Sequence, residues 1–251
     1  MKQLKDILFG VSIEQTYGAI AKHISTVAFD SRKVELNTLF VAIKGDQSDG
    51  HDYIDAAIKK GAHVVLVAQE PHQIIPGVTF IRVPDTRVAL AIIAANYYDH
   101  PSRKLDLIGI TGTNGKTTTA SLSFELFTQM GYAAGLLSTV EIKYAKQVIP
   151  ATHTTPDPLA INKHLDTMVN LGIGYCFMEV SSHGIAQGRI HGLQFKGGVF
   201  TNLTQDHIDY HETFDAYRDT KKEFFDLLPK SAFALVNLDD KNGAFMVQNS
   251  K

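Results

Sequence analysis

Leu105-Asp106-Leu107-Ile108-Gly109-Ile110-Thr111-Gly112-Thr113-Asn114-Gly115-Lys116-Thr117-Thr118 decides the fold of the larger part of this chain. An apolar run leads into a glycine-rich turn. Residues 117–130 then have helical composition, with Gly131 where a helix C-terminus favours glycine. Strand, glycine loop and helix form the arrangement in which backbone N–H groups turn inward on a phosphate and the helix N-terminus adds partial positive charge. Lys116 is placed to neutralise β- and γ-phosphate charge, and the Thr117 hydroxyl to ligate Mg²⁺. The cradle comprises Gly112, Thr113, Asn114, Gly115, Lys116, Thr117 and Thr118, and the expected occupant is ATP with Mg²⁺. One departure from G-x-x-x-x-G-K-[ST] is Ile110, which stands where the pattern has glycine, with Gly109 one place early. The competing reading is a glycine-bearing turn followed by an exposed lysine. The strand–helix context and the Gly112/Gly115 pair weigh against it.

Outward from this stretch, strand and helix signals alternate. Pro156 and Pro158 open a helix that ends near Leu171-Gly172, and apolar strands are expected over 175–180, 198–203 and 233–238. Alternation on this scale predicts an α/β domain with a mainly parallel sheet, over 105–251. His100-Pro101-Ser102-Arg103-Lys104 reads as a linker. Upstream, 1–99 reads as a small α/β domain, with strands at 39–43, 63–67 and 79–83 and helices at 53–60 and 86–98.

With 44% hydrophobic and 20% charged residues the composition is that of a globular protein. The net charge of -2 provides no basic field for non-specific nucleic-acid binding. Cys176 is the single cysteine and lies in an apolar strand, so no internal disulfide forms and a core position is expected. No run of eighteen apolar residues and no leader-like N-terminus is present, and the reading is cytoplasmic, without membrane insertion.

Ligands in open α/β sheets collect at the carboxyl ends of strands. Three polar clusters fall there: Glu179-Val180-Ser181-Ser182-His183-Gly184, Thr201-Asn202-Leu203-Thr204-Gln205-Asp206-His207 and Asn237-Leu238-Asp239-Asp240. Glu179 and His207 are of metal-ligating type, though a lone residue of either kind is more often a solvated loop residue. Phe214, Tyr217, Lys221, Phe224, Phe225 and Leu228 share one helical stripe, which puts Lys221 within an apolar face. Either its stem packs there while the amine reaches solvent, or the amine is partly buried with a depressed pKa and open to carbamate formation with CO₂.

Together these residues resemble the Mur ligases, and within them the ligases that extend UDP-N-acetylmuramoyl-L-alanyl-D-glutamate by one amino acid. The matching motifs run in family order: Asp30-Ser31-Arg32, Gly45-Asp46-Gln47-Ser48-Asp49-Gly50, the phosphate loop and His153-Thr154-Thr155-Pro156-Asp157. They continue through Glu179 to Gly184, Gln187-Gly188-Arg189, Thr201 to His207, Tyr210-His211, and Tyr217 to Lys221.

The resemblance implies that Ser31, Asp46, Gln47 and Ser48 hold the uridine diphosphate end in the 1–99 domain. Thr154, Thr155, Ser181, Gln187 and Arg189 would hold the sugar-peptide, His153 standing where several relatives carry Asn. Thr117, Glu179, His207 and a carbamoylated Lys221 would gather Mg²⁺, with Lys116, Lys221 and His207 as the catalytic group. The implied reaction is ATP-dependent amide formation through an acyl phosphate in peptidoglycan-precursor synthesis, with diaminopimelate favoured over lysine as the added residue. The partners are then the UDP-MurNAc-dipeptide and the amino acid, and the full-length protein is expected to be a monomer.

Family members carry a further C-terminal domain, so a truncated central domain is expected here, with an exposed sheet edge and no complete catalysis by 251 residues alone. The alternatives are a non-catalytic fragment that binds ATP and UDP-sugar only, and an unrelated P-loop phosphotransferase.

Overall fold

The computed structural model describes residues 1–45, 48–206 and 208–249. Two compact units emerge, Met1–Asp99 and His100–Lys251.

The first unit comprises β1 (Lys2–Gln3), α1 (Leu4–Ile7), β2 (Gln15–Tyr17), β3 (His23–Ile24), β4 (Thr26–Ala28), β5 (Thr38–Val41), α2 (Ile54–Lys59), β6 (Ala62–Val67), β7 (Thr79–Arg82) and α3 (Thr86–Tyr97). Five strands form a sheet in the order β2-β7-β6-β5-β4, parallel from β4 to β7 and antiparallel at β2. Burial on both faces explains why β5 and β6 read as nearly continuous apolar runs. Helix α3 starts at Asp85, whose carboxylate accepts from the N–H groups of Arg87 and Val88 and so satisfies two donors of the first turn.

The second unit comprises β8 (Asp106–Thr111), α4 (Lys116–Gln129), β9 (Ala134–Leu137), β10 (Glu141–Tyr144), β11 (Gln147–Pro150), α5 (Pro158–Asn170), β12 (Tyr175–Glu179), α6 (Ser182–Ala186), β13 (Gly197–Phe200), α7 (Ile208–His211), α8 (Phe214–Asp226), β14 (Phe233–Val236) and α9 (Gly243–Met246). Its sheet runs β11-β10-β9-β12-β8-β13-β14, parallel from β9 to β14 and antiparallel at the β10–β11 hairpin. The mainly parallel α/β fold expected from the alternation is the fold observed.

Side-chain alternation along β8 divides the core. Ile108 and Ile110 face Ala120, Phe124 and Phe127 of α4, whereas Leu107 faces the cluster containing Ile161 and Leu165 of α5 and Tyr217 and Phe224 of α8. Gly109 lies on the α8 side, and a Cβ there would sit 2.5 Å from Phe224 Cζ and 2.9 Å from Phe195 Cε1. The glycine that precedes the loop by one place is therefore a packing glycine, and its early position has no bearing on the phosphate cradle.

Two differences from the sequence reading stand out. The strand expected over 198–203 stops at Phe200, because Thr201 to Thr204 leave the sheet to bond the glycine loop. Residues 134–150, given no element from sequence, form β9 and the β10–β11 hairpin, whose strands are four residues each. Strand β14 closes one end of the sheet with Phe233 and Leu235 exposed. Cys176 is fully buried, and burial pushes its thiol up.

The close approach at Gly109 predicts that Gly109→Ala overpacks the interface between β8 and α8. A loss of about 1–3 kcal/mol is expected in urea unfolding of the second unit followed by circular dichroism, the chain having no tryptophan.

Candidate active site

Gly112 leaves β8 with φ +147°, and a Cβ there would lie 1.9 Å from Thr201 Oγ1. Gly115, at φ +84°, turns the chain into α4, whose first residue is Lys116. Both glycines occupy backbone conformations that side chains disfavour, so the loop can close tightly against the segment after β13. Lys116 Nζ folds back to donate to the carbonyl oxygens of Gly112 at 3.0 Å and Thr113 at 2.8 Å. Asn114, Gly115 and Thr118 are exposed, and Thr117 is half-buried at the second position of α4.

The second donor to Gly112 O is Lys221 Nζ, at 2.9 Å. Lys221 is 1% exposed, so its amine does not reach solvent. It lies 4.7 Å from the Tyr217 ring centroid. Burial, reinforced by Lys116 and opposed by Asp206, pushes its pKa down to about 7. Burial also lowers the Lys116 pKa, against the attraction of Glu179 and Asp206. Two lysine nitrogens thus meet at one backbone acceptor in the glycine turn, each with its charged form disfavoured by burial.

Hydrogen bonds lace the loop to the segment after β13. Thr113 N–H donates to Asn202 O at 2.8 Å, and Thr204 N–H to Thr113 Oγ1 at 3.0 Å. The Asn202 carboxamide grips Asn114 twice, accepting from its N–H at 3.0 Å and donating to its carbonyl at 3.1 Å. Thr201 Oγ1 donates to the same carbonyl at 2.7 Å. Buried Tyr217 brings its hydroxyl within 3.1 Å of Thr113 Oγ1. The third polar cluster supports this segment from behind: Asn237 donates to Thr201 O, and Asp240 accepts from Leu203 N–H.

Beside the loop, fully buried Glu179 ends β12 and accepts from Thr139 N–H at 2.8 Å and Thr139 Oγ1 at 3.0 Å. Around it, Thr155 Oγ1 donates to Glu179 O, and Ser181 N–H donates to Thr155 Oγ1. Ser181 Oγ caps α6 by accepting from Gly184 N–H. Arg189 donates to Gln187 Oε1 through Nε and Nη2 and to Thr155 O through Nη1. Thr154, Thr155, Ser181, Gln187 and Arg189 are therefore neighbours on the edge that carries Glu179, with exposed His153 beside Thr152.

In the first unit, Ser31 opens a short turn after β4, held by Asp30, which accepts from Arg32 N–H and pairs with the guanidinium. The Arg32 hydrogen bond holds the Asp30 carboxyl below its usual range. Exposed Ser48 closes a narrow loop after β5 by accepting Gly45 N–H. His51 fastens that loop, with Nδ1 2.6 Å from Asp49 Oδ1 and Nε2 accepting from Ala68 N–H at 3.2 Å. Ser31 and Ser48 thus follow adjacent parallel strands. Asp46, Gln47 and His207 lie outside the described residues.

Among the described residues no group of three or more His, Cys, Asp or Glu could hold a metal. Mg²⁺ suits such a site, since it binds through one or two carboxylates, substrate phosphates and water rather than an all-protein cage. Glu179 and the Thr117 hydroxyl are hard oxygen donors of the right kind, and each Glu179 oxygen keeps a lone pair beyond its bond to Thr139. Sequence reasoning missed Thr139 and gave Asn202 no role of its own. Both stand just past strand ends, the signal that could have found them.

A parallel sheet whose strand β8 passes through a glycine turn into α4, with two lysines gathered on the turn, defines a phosphate-loop α/β domain. The chain belongs to the Mur ligase family: residues 110–251 match the Mur ligase middle domain, and residues 23–98 match the Mur ligase family catalytic domain. It is 50% identical over 249 residues to the UDP-N-acetylmuramoyl-L-alanyl-D-glutamate–2,6-diaminopimelate ligase of Phocaeicola vulgatus, covering 99% of this chain and 51% of the relative. It is also 50% identical over 250 residues to the ligase of the same name from Cytophaga hutchinsonii, with the same coverage. A solved structure of a ligase so named aligns with a TM-score of 0.81 at 27% identity, over 99% of this chain and 50% of that one. The chain spans about half the length of the curated relatives it matches.

The buried Lys221 amine makes stability depend on pH. Its folded pKa of about 7 lies below the ordinary 10.5, so between these values the unfolded state binds more protons and stability rises with pH. Below pH 7 the cost of the buried charge is present in full. Measured by denaturant midpoint in bicarbonate-free buffer, Lys221→Met should gain most over wild type below pH 7, and the difference should shrink as pH rises toward 10.5.

Proposed function

We propose that these residues serve an ATP-dependent amide-bond ligase of peptidoglycan-precursor synthesis, one that joins diaminopimelate, in preference to lysine, to UDP-MurNAc-L-Ala-D-Glu. The observation that carries this reading is the convergence of Lys116 and Lys221 on the Gly112 carbonyl beside Glu179. Support also comes from the relatives at 50% identity, which are named as ligases of diaminopimelate. In this reading residues 1–99 hold the uridine diphosphate end through Ser31, Asp46, Gln47 and Ser48, and residues from 105 onward hold ATP. The reaction belongs to the cytoplasm, a setting consistent with the single, unpaired cysteine.

The chemistry follows from charge. The γ-phosphoryl group passes to the free carboxylate of the dipeptide, giving an acyl phosphate and ADP. The incoming amine attacks the acyl carbon, phosphate leaves, and the nitrogen loses its proton as the amide forms. Lys116, released from the Gly112 and Thr113 carbonyls, offsets charge on the transferring phosphoryl oxygens. Backbone N–H groups of the loop orient the phosphates, and the bonds to Thr201, Asn202 and Thr204 hold that backbone rigid. Thr155, Ser181, Gln187 and Arg189 orient the sugar-peptide. Thr117, Glu179, His207 and a carbamoylated Lys221 would hold Mg²⁺, which would supply Lewis-acid neutralisation of phosphate charge. The near-neutral pKa of Lys221 supports that modification, because only the unprotonated amine reacts with CO₂.

Because the chain spans about half of its relatives' length, the test reads binding. Calorimetric titration should give selective binding of UDP-MurNAc-L-Ala-D-Glu over UDP-glucose; equal affinity, or none in a folded sample, would overturn the substrate assignment. Lys116→Met should weaken MgATP binding by about 1.5–3 kcal/mol, roughly tenfold to a hundredfold in Kd. Labelling with ¹³C-bicarbonate should give a carbamate carbon signal in wild type that is absent from Lys221→Met.

A further inference from the structure

Thr139 has no part in the chemistry above, yet its N–H and its hydroxyl both bond Glu179. Strand β9 pairs with β12 in parallel, Leu137 opposite Met178, so the residues that follow these two strands emerge side by side. Ser138 pins the turn that leaves β9: its hydroxyl donates to Glu141 O at 2.8 Å and accepts Glu141 N–H at 3.2 Å. Thr139 is thereby held over the end of β12, where its N–H meets Oε1 and its hydroxyl meets Oε2 of the buried carboxylate.

The direction of these bonds follows from proton counting. A carboxylate accepts only, so the single hydroxyl proton of Thr139 goes to Oε2. The other acceptor within reach of that hydroxyl, Thr154 Oγ1 at 3.2 Å, is neutral and more distant than Oε2 at 3.0 Å. A carboxylate held at both oxygens cannot rotate about its last torsion, and its unused lone pairs have a fixed direction.

We propose that Thr139 is a positioning residue that fixes the Glu179 carboxylate to receive a divalent cation bound with the nucleotide. This rests on the Mg²⁺–nucleotide reading of the site. Losing the hydroxyl while keeping the backbone bond leaves Oε2 unheld and lets the carboxylate turn away. Supporting partners of metal ligands typically contribute about 10–100-fold in metal affinity.

The test is an electron paramagnetic resonance titration of the 251-residue chain with Mn²⁺ in the presence of ADP, reading free against bound metal. Thr139→Val should weaken Mn²⁺ binding about tenfold with the folded circular dichroism spectrum retained, and Thr139→Ser, which restores the hydroxyl, should recover most of it. Glu179→Gln should weaken binding at least as much as Thr139→Val. If Thr139→Val disturbs the circular dichroism spectrum, Thr139→Ala supplies the same reading. Wild-type affinity in the hydroxyl-free variants together with a weakened Glu179→Gln would overturn the positioning role while leaving Glu179 as a ligand. Wild-type affinity in Glu179→Gln, or no ADP-dependent Mn²⁺ binding by wild type, would remove the metal reading and this inference with it.

Discussion

The carbonyl oxygen of Gly112 accepts hydrogen bonds from two lysines that come from opposite faces of the sheet, one from α4 and one from α8. A buried amine needs an acceptor, since leaving a charged or polar nitrogen unpaired in an apolar face costs several kcal/mol, on the order of 2–7 for a neutral group and more for a charged one. The end of β8 supplies that acceptor, which ties α8 to the glycine turn. The turn accommodates it because Gly112 has no side chain and Thr201 can approach where a Cβ would stand. The phosphate loop is thus held on one side by lysines and on the other by the hydroxyl and amide groups of Thr201, Asn202 and Thr204.

Parallel pairing explains why so many polar residues meet there. Strands β9, β12, β8, β13 and β14 all end at the same edge of the sheet, and each delivers its following residues to that edge. Strand β9 brings Thr139, β12 brings Glu179 and Ser181, β8 brings the glycine loop, and β13 brings Asn202. Strand β14 brings Asn237 and, after it, Asp240, both of which brace the β13 segment rather than face the lysines. The apolar faces of the same strands pack on α4 to one side and on α5 and α8 to the other, so the site rests on a core with little freedom to shift.

Adjacent lysines on α8 show how position overrides residue type. Lys222 reaches Asp226 one turn away at 2.7 Å, an ordinary helical ion pair. Lys221 points into the core and is left with a carbonyl and an aromatic ring, in surroundings that favour the uncharged amine. Both side chains are largely buried, and one residue of helical phase separates a lysine paired with a carboxylate from one held by a backbone carbonyl.

From the sequence alone, the phosphate loop, the strand–helix alternation after Leu105, the parallel sheet and the apolar stripe around Lys221 were all legible, because each rests on local composition and period. The Mur ligase resemblance was legible too, since its motifs lie in order along the chain. Tertiary structure alone decided whether the Lys221 amine was buried or solvated, because a helical stripe specifies a face and not what covers it. It also decided the roles of Gly109, Asn202 and Thr139. A glycine made necessary by Phe224, an amide that grips Asn114 and a threonine that clamps Glu179 all act across about forty to more than a hundred residues of chain. Contacts at such separation follow from strand order in the sheet, and no local pattern records them.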